Sequence, residues 1–596
     1  MTSLPRVRPL RGRLHAWRVV AFALCGSLAT SQPSAAVGSP GPPAARCQRA
    51  APGAVVPEPV DFRSHDHQLV VDLSILSDVA PRGMPRYCYV LPTGEQSPTL
   101  RVSPGDEVTL RLRNLLGGTA KSPHRAIARA TTRAGDPCTS GEMSPTSTNL
   151  HFHGMTVPPV CHADEVLKTS VQPGDAPFEY RFRIPDDEPP GLYWYHPHVH
   201  GFSSAQVSGG ASGALVVEGL ERAVPQLAGL PERVFVIRDQ ALENPDAPPS
   251  SAEPVVPQTP LDSDGDAGNN NTGFGKPAKD LSVNFVPVPY PDYPPATIRL
   301  KPGARQLWRV LNAAAVTYLH LALLYDHEPQ PLEVVAIDGV PVNWSGPRAA
   351  PVRQVDHIGI PPGGRAEFVV TGPPRGVTGV LMTRSVDTGR GGENDPNRAL
   401  ANVVADDRAR APQSVMPANP KPLPPPSRPW LGSVAPVRER RLYFSEAPAN
   451  PADTKSPTVF YITEEGRQPA AFDPASPTPD IVVRQGDVED WIIENRSFEL
   501  HAFHIHQLHF LLLDWFGHPV SEPFLRDTVN VPYFDLHMTR YPSVRLRMDF
   551  RDPAIVGTFV YHCHLLEHED GGMMGTIRVL PADSPLASVA VTPGAL

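Results

Sequence analysis

Three stretches of this chain repeat one pattern, and the repetition limits the fold more than any other feature. They are TLRVSPGDEVTLRLRNLL (99–116), TIRLKPGARQLWRVLNA (297–313) and DIVVRQGDVEDWIIENR (480–496). Each has an alternating apolar run, a turn at Gly105, Gly303 or Gly486, and a second alternating run. An asparagine follows the glycine by nine residues, at Asn114, Asn312 and Asn495. Alternation of period two means half-buried strands, and two of them around a glycine turn predict a β-hairpin. The copies begin 198 and then 183 residues apart, a domain-sized spacing. The expectation is all-β, with three consecutive β-sandwich domains.

Composition agrees. A chain of 596 residues is too long for one core. Its 74 prolines and 46 glycines suit short strands and turns. The formal charge of −9, without a basic stripe, argues against nucleic acid as a partner. Residues 243–280 and 385–436 are polar or proline-rich and read as linkers, which suggests domains at 37–225, 226–436 and 437–596. The run DSDGDAGNNNTG lacks the glycine and closing glutamate of an EF-hand and reads as a solvated loop.

Arg6, Arg8, Arg11 and Arg13 precede an apolar run, AWRVVAFALCGSLA (16–29), and small residues follow at PSAA (33–36). This is the pattern of a signal peptide over 1–36 in an exported protein, periplasmic or secreted. The run is short for a bilayer span, no other stretch is long and apolar enough, and no stable membrane insertion is expected. Of six cysteines, Cys25 lies in that run and Cys563 in a histidine-rich motif. The remaining Cys47, Cys88, Cys138 and Cys161 suggest two disulfides, with three pairings open. Cys138–Cys161 is favoured because it would staple the loop carrying His151 and His153, leaving Cys47–Cys88.

A second repeat joins only the outer thirds. GLYWYHPH (191–198) matches GTFVYHCH (557–564), and LHFHG (150–154) is echoed by FHIHQ (503–507). The middle third keeps only His320, with Ala322 where a second histidine would stand, and reads as a spacer without metal. The segment YHCHLLEHEDGGMM (561–574) sets Cys563 between His562 and His564, with His568 five and Met573 ten residues on. Thiolate, imidazole and a weak thioether are the donors of a copper site built for single-electron transfer. On a strand the flanking histidines point away from the cysteine, toward a second metal face. A lone His-x-His is ordinary; four in matched halves are more than a closed tetrahedral zinc site needs.

On these motifs, from about residue 60 to 582, the chain resembles the multicopper oxidases of the three-domain laccase and bacterial copper-efflux kind. The resemblance implies three cupredoxin-like Greek-key β-sandwiches and four coppers. His501, Cys563, His568 and axial Met573 would hold the type 1 ion, with Met574 a competitor lacking the spacing. His151 and His504 would hold the type 2 ion. The type 3 pair would take His153, His196 and His564 on one side and His198, His506 and His562 on the other. A small-molecule reductant would give electrons through a partly exposed His568, and Cys563 would pass them to its neighbours for reduction of O2 to water. Glu569 and Asp164 are the implied proton relays, with Glu165 a substitute for Asp164, while Asp527 would be positional. His162, His200 and His509 are expected to be structural.

The ten methionines form no cluster of the kind that gathers Cu(I), so phenols or aromatic amines are the expected donors. A cuprous or ferrous oxidase is the alternative, and a copper-free scaffold is disfavoured by the complete ligand set. The chain is expected to act as a monomer.

Overall fold

The computed structural model describes residues 47–585 apart from 80–82, 118–136, 140–141, 252–253, 255–260, 262–264, 345–349, 413, 419–426, 454–455 and 521–523. The expected signal segment, with Cys25, and parts of both expected linkers lie outside the described residues; Arg398–Ala405, inside the second expected linker, is instead a strand of the middle pair of sheets. Among the described residues strands dominate, in six sheets that fall in three consecutive pairs along the chain. Strands between Asp61 and Val217 build a five-stranded and a four-stranded sheet. Those between Glu232 and Ala405 build an eight- and a six-stranded sheet, and those between Arg438 and Leu580 a six- and a five-stranded sheet. Each pair encloses its own apolar cluster, around Phe152 and Tyr180, Trp308 and Phe368, and Trp491 and Phe503. Burying each such side chain contributes about 1.5–3 kcal/mol.

The glycine turns do not make hairpins. Thr99–Val102 lies in the five-stranded sheet of the first pair, whereas Glu107–Leu115 lies in the four-stranded sheet facing it. Ala296–Leu300 and Arg305–Asn312 are divided in the same way, as are Ile481–Arg484 and Val488–Asn495. Each turn is therefore an arch between facing sheets. Both flanking strands take parallel partners, for example Asp61–Arg63 on Thr99–Val102 and Gln68–Val79 on Glu107–Leu115. Alternation reports one buried face per strand and is silent on whether two strands meet edge to edge or face to face. The glycines bear positive φ, +89° at Gly105, +68° at Gly303 and +103° at Gly486.

The repeated asparagine clamps the far end of each arch. Nδ2 of Asn114 donates to the carbonyls of Thr146 and Val171 at 2.7 and 2.8 Å. Asn312 does the same to Thr317 and Ile360, both at 3.0 Å, and Asn495 to Glu499 and Val531 at 2.8 and 3.2 Å. In each, Oδ1 accepts the amide two residues on. All three are buried, so these bonds satisfy backbone groups that water cannot reach.

Two strand pairs place the histidines. His151–His153 runs antiparallel to Gly191–His196 with His151 opposite His196. His501–Ile505 runs antiparallel to Gly557–Cys563 with His504 opposite His562. The middle pair of sheets is bound to the first by buried ions: Glu232 joins Arg101 and Arg309, Arg309 pairs with Glu367, and Glu367 accepts the Leu192 amide at 2.7 Å.

Candidate metal centre

The first of two clusters is built on the strand Gly557–Cys563 and the helix Leu566–Asp570 that follows it. Cys563 Sγ lies 3.5 Å from His501 Nδ1 and 3.9 Å from His568 Nδ1, and those two nitrogens are 3.2 Å apart. Outer partners orient the rings. His501 Nε2 meets Ser497 Oγ at 2.7 Å, and His568 Nε2 lies 3.4 Å from Glu499 Oε1. Met573 shares the buried cluster with Cys563, and its backbone carbonyl accepts the Cys563 amide at 3.1 Å. Met574 packs elsewhere, on Val166 and Val560. Burial pushes the Cys563 thiol up to about 12, so a metal binding there must displace its proton.

The second cluster gathers His151, His153, His196, His198, His504, His506, His562 and His564, all buried. His151 stacks on His506 at 3.7 Å and His153 on His504 at 3.9 Å. His562 Nε2 faces His506 Nε2 at 3.2 Å and His198 Nε2 at 3.4 Å. Nε2 of His151, His196 and His504, Nδ1 of His153 and His506, and both nitrogens of His564 are buried with no hydrogen-bond partner. Leaving so many buried polar atoms unmatched costs about 1–3 kcal/mol each, and cations that accept their lone pairs remove that cost. Ligand-capable atoms of His198, His506 and His562 lie within 4.8 Å of one another, as do those of His501, Cys563 and His568. The same holds for His151 with His504 and His506, and for His151 with His153 and His196. Burial holds His153, His196, His198, His504, His506 and His564 below the ordinary imidazole pKa, and His562 at about 3, in the neutral form a metal requires.

Carboxylates surround the cluster. Asp164 meets His151 Nδ1 at 3.0 Å, accepts the Phe152 amide at 2.9 Å, and is also bonded by Gln507. Glu165 does not share this place; it caps the Lys168 and Thr169 amides of its own loop. Glu569 lies 3.3 Å from His562 Nδ1 and 3.6 Å from His198 Nε2, and burial raises its pKa well above the usual carboxylate range. Asp527 lies 3.2 Å from His153 Nε2, and its carbonyl meets His504 Nδ1 at 2.9 Å.

Two expectations change. The middle third is more than a spacer: Arg365 grips Asp527 with both terminal nitrogens, at 2.8 and 2.5 Å. A Cβ built on Gly363 would stand 2.7 Å from His564 Nε2, so only glycine lets this turn back the ring. Neither residue carries a sequence signal, because each acts across a contact between distant segments. His568 is not partly exposed either. It is 3 % accessible, stacked under Phe460 at 4.2 Å and flanked by Glu499. His162, His200 and His509 lie outside both clusters. His162 stacks on Phe178, His200 meets Phe472, and His509 reaches the Asp338 carbonyl at 3.1 Å. The disulfides are Cys47–Cys88 and Cys138–Cys161.

Two family models, each described as "Multicopper oxidase", match, one over residues 142–222 and the other over 451–583, the segments bearing both histidine clusters. The chain is 24% identical to the multicopper oxidase MmcO of Mycobacterium tuberculosis over 507 residues, covering 80% of each. It is 23% identical to the iron transport multicopper oxidase FET3 of Gibberella zeae, covering 82% of this chain and 72% of that protein. Among solved structures, a multicopper metallo-oxidase from Campylobacter jejuni superposes with a TM-score of 0.61 at 22% identity, covering 90% of this chain and 98% of that one. A laccase-like multicopper oxidase from Ochrobactrum gives 0.57 at 21%, covering 88% and 100%. These are likenesses of fold. Taken with the two matched segments and the histidine strands that they contain, they make this chain a member of the multicopper oxidase family.

Proposed function

We propose that the protein couples one-electron oxidations of a small reductant to the four-electron reduction of O2 to water, with four coppers per chain. His501, Cys563, His568 and Met573 would hold the type 1 ion and His151 and His504 the type 2 ion. One type 3 ion would lie with His153, His196 and His564, the other with His198, His506 and His562. Copper would supply single-electron redox chemistry at both clusters. The observation carrying this reading is the place of Cys563. Its sulfur faces His501 and His568, while the residues bonded to it on either side, His562 and His564, turn their rings into the other cluster. A covalent path of one residue thus joins the two clusters. Asp164 and Asp527 hold ring orientation through hydrogen bonds, and Glu569, its pKa raised by burial, would hold a proton beside His562 and His198.

For the donor we infer phenols or aromatic amines. The ten methionines form no cluster along the sequence, and the aromatic face of Phe460 lies over His568. A second reading, oxidation of Cu(I) or Fe(II), is favoured by Glu499 against His568, its pKa raised by burial and by the neighbouring acid Glu446. Relatives on both sides exist by name: FET3 is an iron transport oxidase, and the Ochrobactrum enzyme acts on lignin model compounds. The test is to compare rates with a phenol, Cu(I) and Fe(II) at fixed oxygen. The phenol should be fastest; faster metal oxidation would move the function to the second reading. Two disulfides fit an oxidising compartment outside the cytoplasm, and we take the protein to be an exported monomer with domains at 37–225, 226–436 and 437–596.

A further inference from the structure

We propose that Glu188 is the proton-holding group of a small polar pocket behind the histidine cluster, and that protons for oxygen reduction are supplied through that pocket. This rests on the oxygen-reducing reading above.

The pocket has a volume of about 110 Å³, space for a few waters at ~30 Å³ each. Its walls come from all three sandwiches and include Glu188, Trp344, Gln507 and His509. Outward it continues into a surface groove of about 520 Å³, with which it shares Thr156, Asp187, Ser427, Arg428 and Asp552. Inward it ends on Gln507 and His509. Gln507 bonds Asp164, the carboxylate on His151, and His509 Nε2 lies 3.6 Å from Asp527, the carboxylate beside His153 and His504. One side chain therefore separates the pocket from the groups that orient the cluster. Gln507 is held at φ +60°, an unusual conformation for a non-glycine residue that aims its amide inward.

The other charged groups of the wall are neutralised. Arg428 takes Asp187 at 3.1 Å and also Asp552, Arg551 takes Asp549 at 2.6 Å, and His509 faces the Asp338 carbonyl and Asp527. Glu188 is different. It is buried and accepts from Thr156, the amide at 3.3 Å to each oxygen and the hydroxyl besides, with the acids Asp187 and Asp552 nearby and, among the described residues, no cation paired to it. Tyr193, close by, donates instead to the Pro189 carbonyl at 2.9 Å. Burial and the two acids push Glu188 up to about 8, so it carries a proton at neutral pH. In the supply step the Glu188 O–H bond breaks and the proton passes to pocket water at the Gln507 end. The carboxylate is reprotonated from solvent through the groove. Each O2 takes four protons with four electrons from the donor to give two waters.

The experiment is steady-state oxygen consumption by the copper-loaded enzyme, with saturating phenol, from pH 5 to 9. The wild-type rate should fall as pH rises through about 8, where Glu188 loses its proton. Glu188→Gln should lower turnover at pH 6.5 about tenfold and abolish that fall. The anaerobic rate at which the phenol bleaches the copper–thiolate colour should stay unchanged. Glu188→Asp should run slower than wild type yet keep the alkaline fall. Should Glu188→Gln not fold, Glu188→Asp alone decides, a wild-type rate and profile counting against the proposal. Unchanged rate and pH profile in Glu188→Gln overturn this inference and leave the proposed function standing. A wild type that consumes no oxygen overturns both.

Discussion

The strands Gly191–His196 and Gly557–Cys563 carry the same pattern and differ at one decisive residue. In each, a histidine Nδ1 meets the carbonyl of the next residue: His196 on Pro197 at 3.0 Å and His562 on Cys563 at 2.9 Å. In each, a tyrosine ring lies against a glycine of the neighbouring strand, Tyr195 on Gly213 and Tyr561 on Gly575. The backbones are thus equivalent, and side chains alone set the roles. Counting from the matched histidines, the positions of His501, Cys563, His568 and Met573 are held in the first sandwich by Thr148, Pro197, Phe202 and Val207. All of those are buried, and the Thr148 hydroxyl is spent on Gln206 at 3.2 Å. The first half therefore offers histidines to the shared cluster and has no second thiolate site. A duplicated scaffold becomes directional by losing four donors on one side.

The sharpest way to break this comparison is at the cysteine. Cys563→Ser should abolish the copper–thiolate colour and lower turnover by about 10³-fold or more, a barrier increase of roughly 4 kcal/mol. Visible absorption and oxygen consumption measure both. His504→Ala in the same assays should keep the colour while losing oxygen reduction. The reciprocal Pro197→Cys should add neither colour nor bound copper. A second coloured site in that variant would show that the neighbours of Pro197 can serve as ligands after all.

A smaller effect is expected at the contact from the middle sandwich. Arg365→Met strands the buried Asp527 carboxylate and should cost about 3–5 kcal/mol in urea unfolding, with weakened copper retention in the second cluster. Smaller again are the repeated asparagines. Asn114→Ala and Asn495→Ala should each cost about 2–3 kcal/mol, by orphaning two buried carbonyls and an amide. Only Asn495→Ala should also alter the colour, because its loop carries Ser497 and Glu499, the partners of His501 and His568. Equal colour in both variants would mean that those orienting contacts do not tune the site.

The sequence alone determined the strand character, the threefold repeat and every histidine that the structure gathers. These are local signals: a period of two, a glycine at a turn, ligand types at fixed offsets on one strand. Its spacing favoured Met573 over Met574, and Met573 shares the buried cluster of Cys563 while Met574 packs elsewhere. Tertiary structure decided that the glycine turns are arches, since burial pattern cannot tell an edge partner from a facing one. It decided that His568 lies beneath Phe460, and that Asp164 rather than Glu165 meets His151. The support from Gly363 and Arg365, and the pocket ending on Gln507, join residues more than 140 positions apart. Such contacts depend on how three sandwiches dock. No periodicity within one strand records that docking.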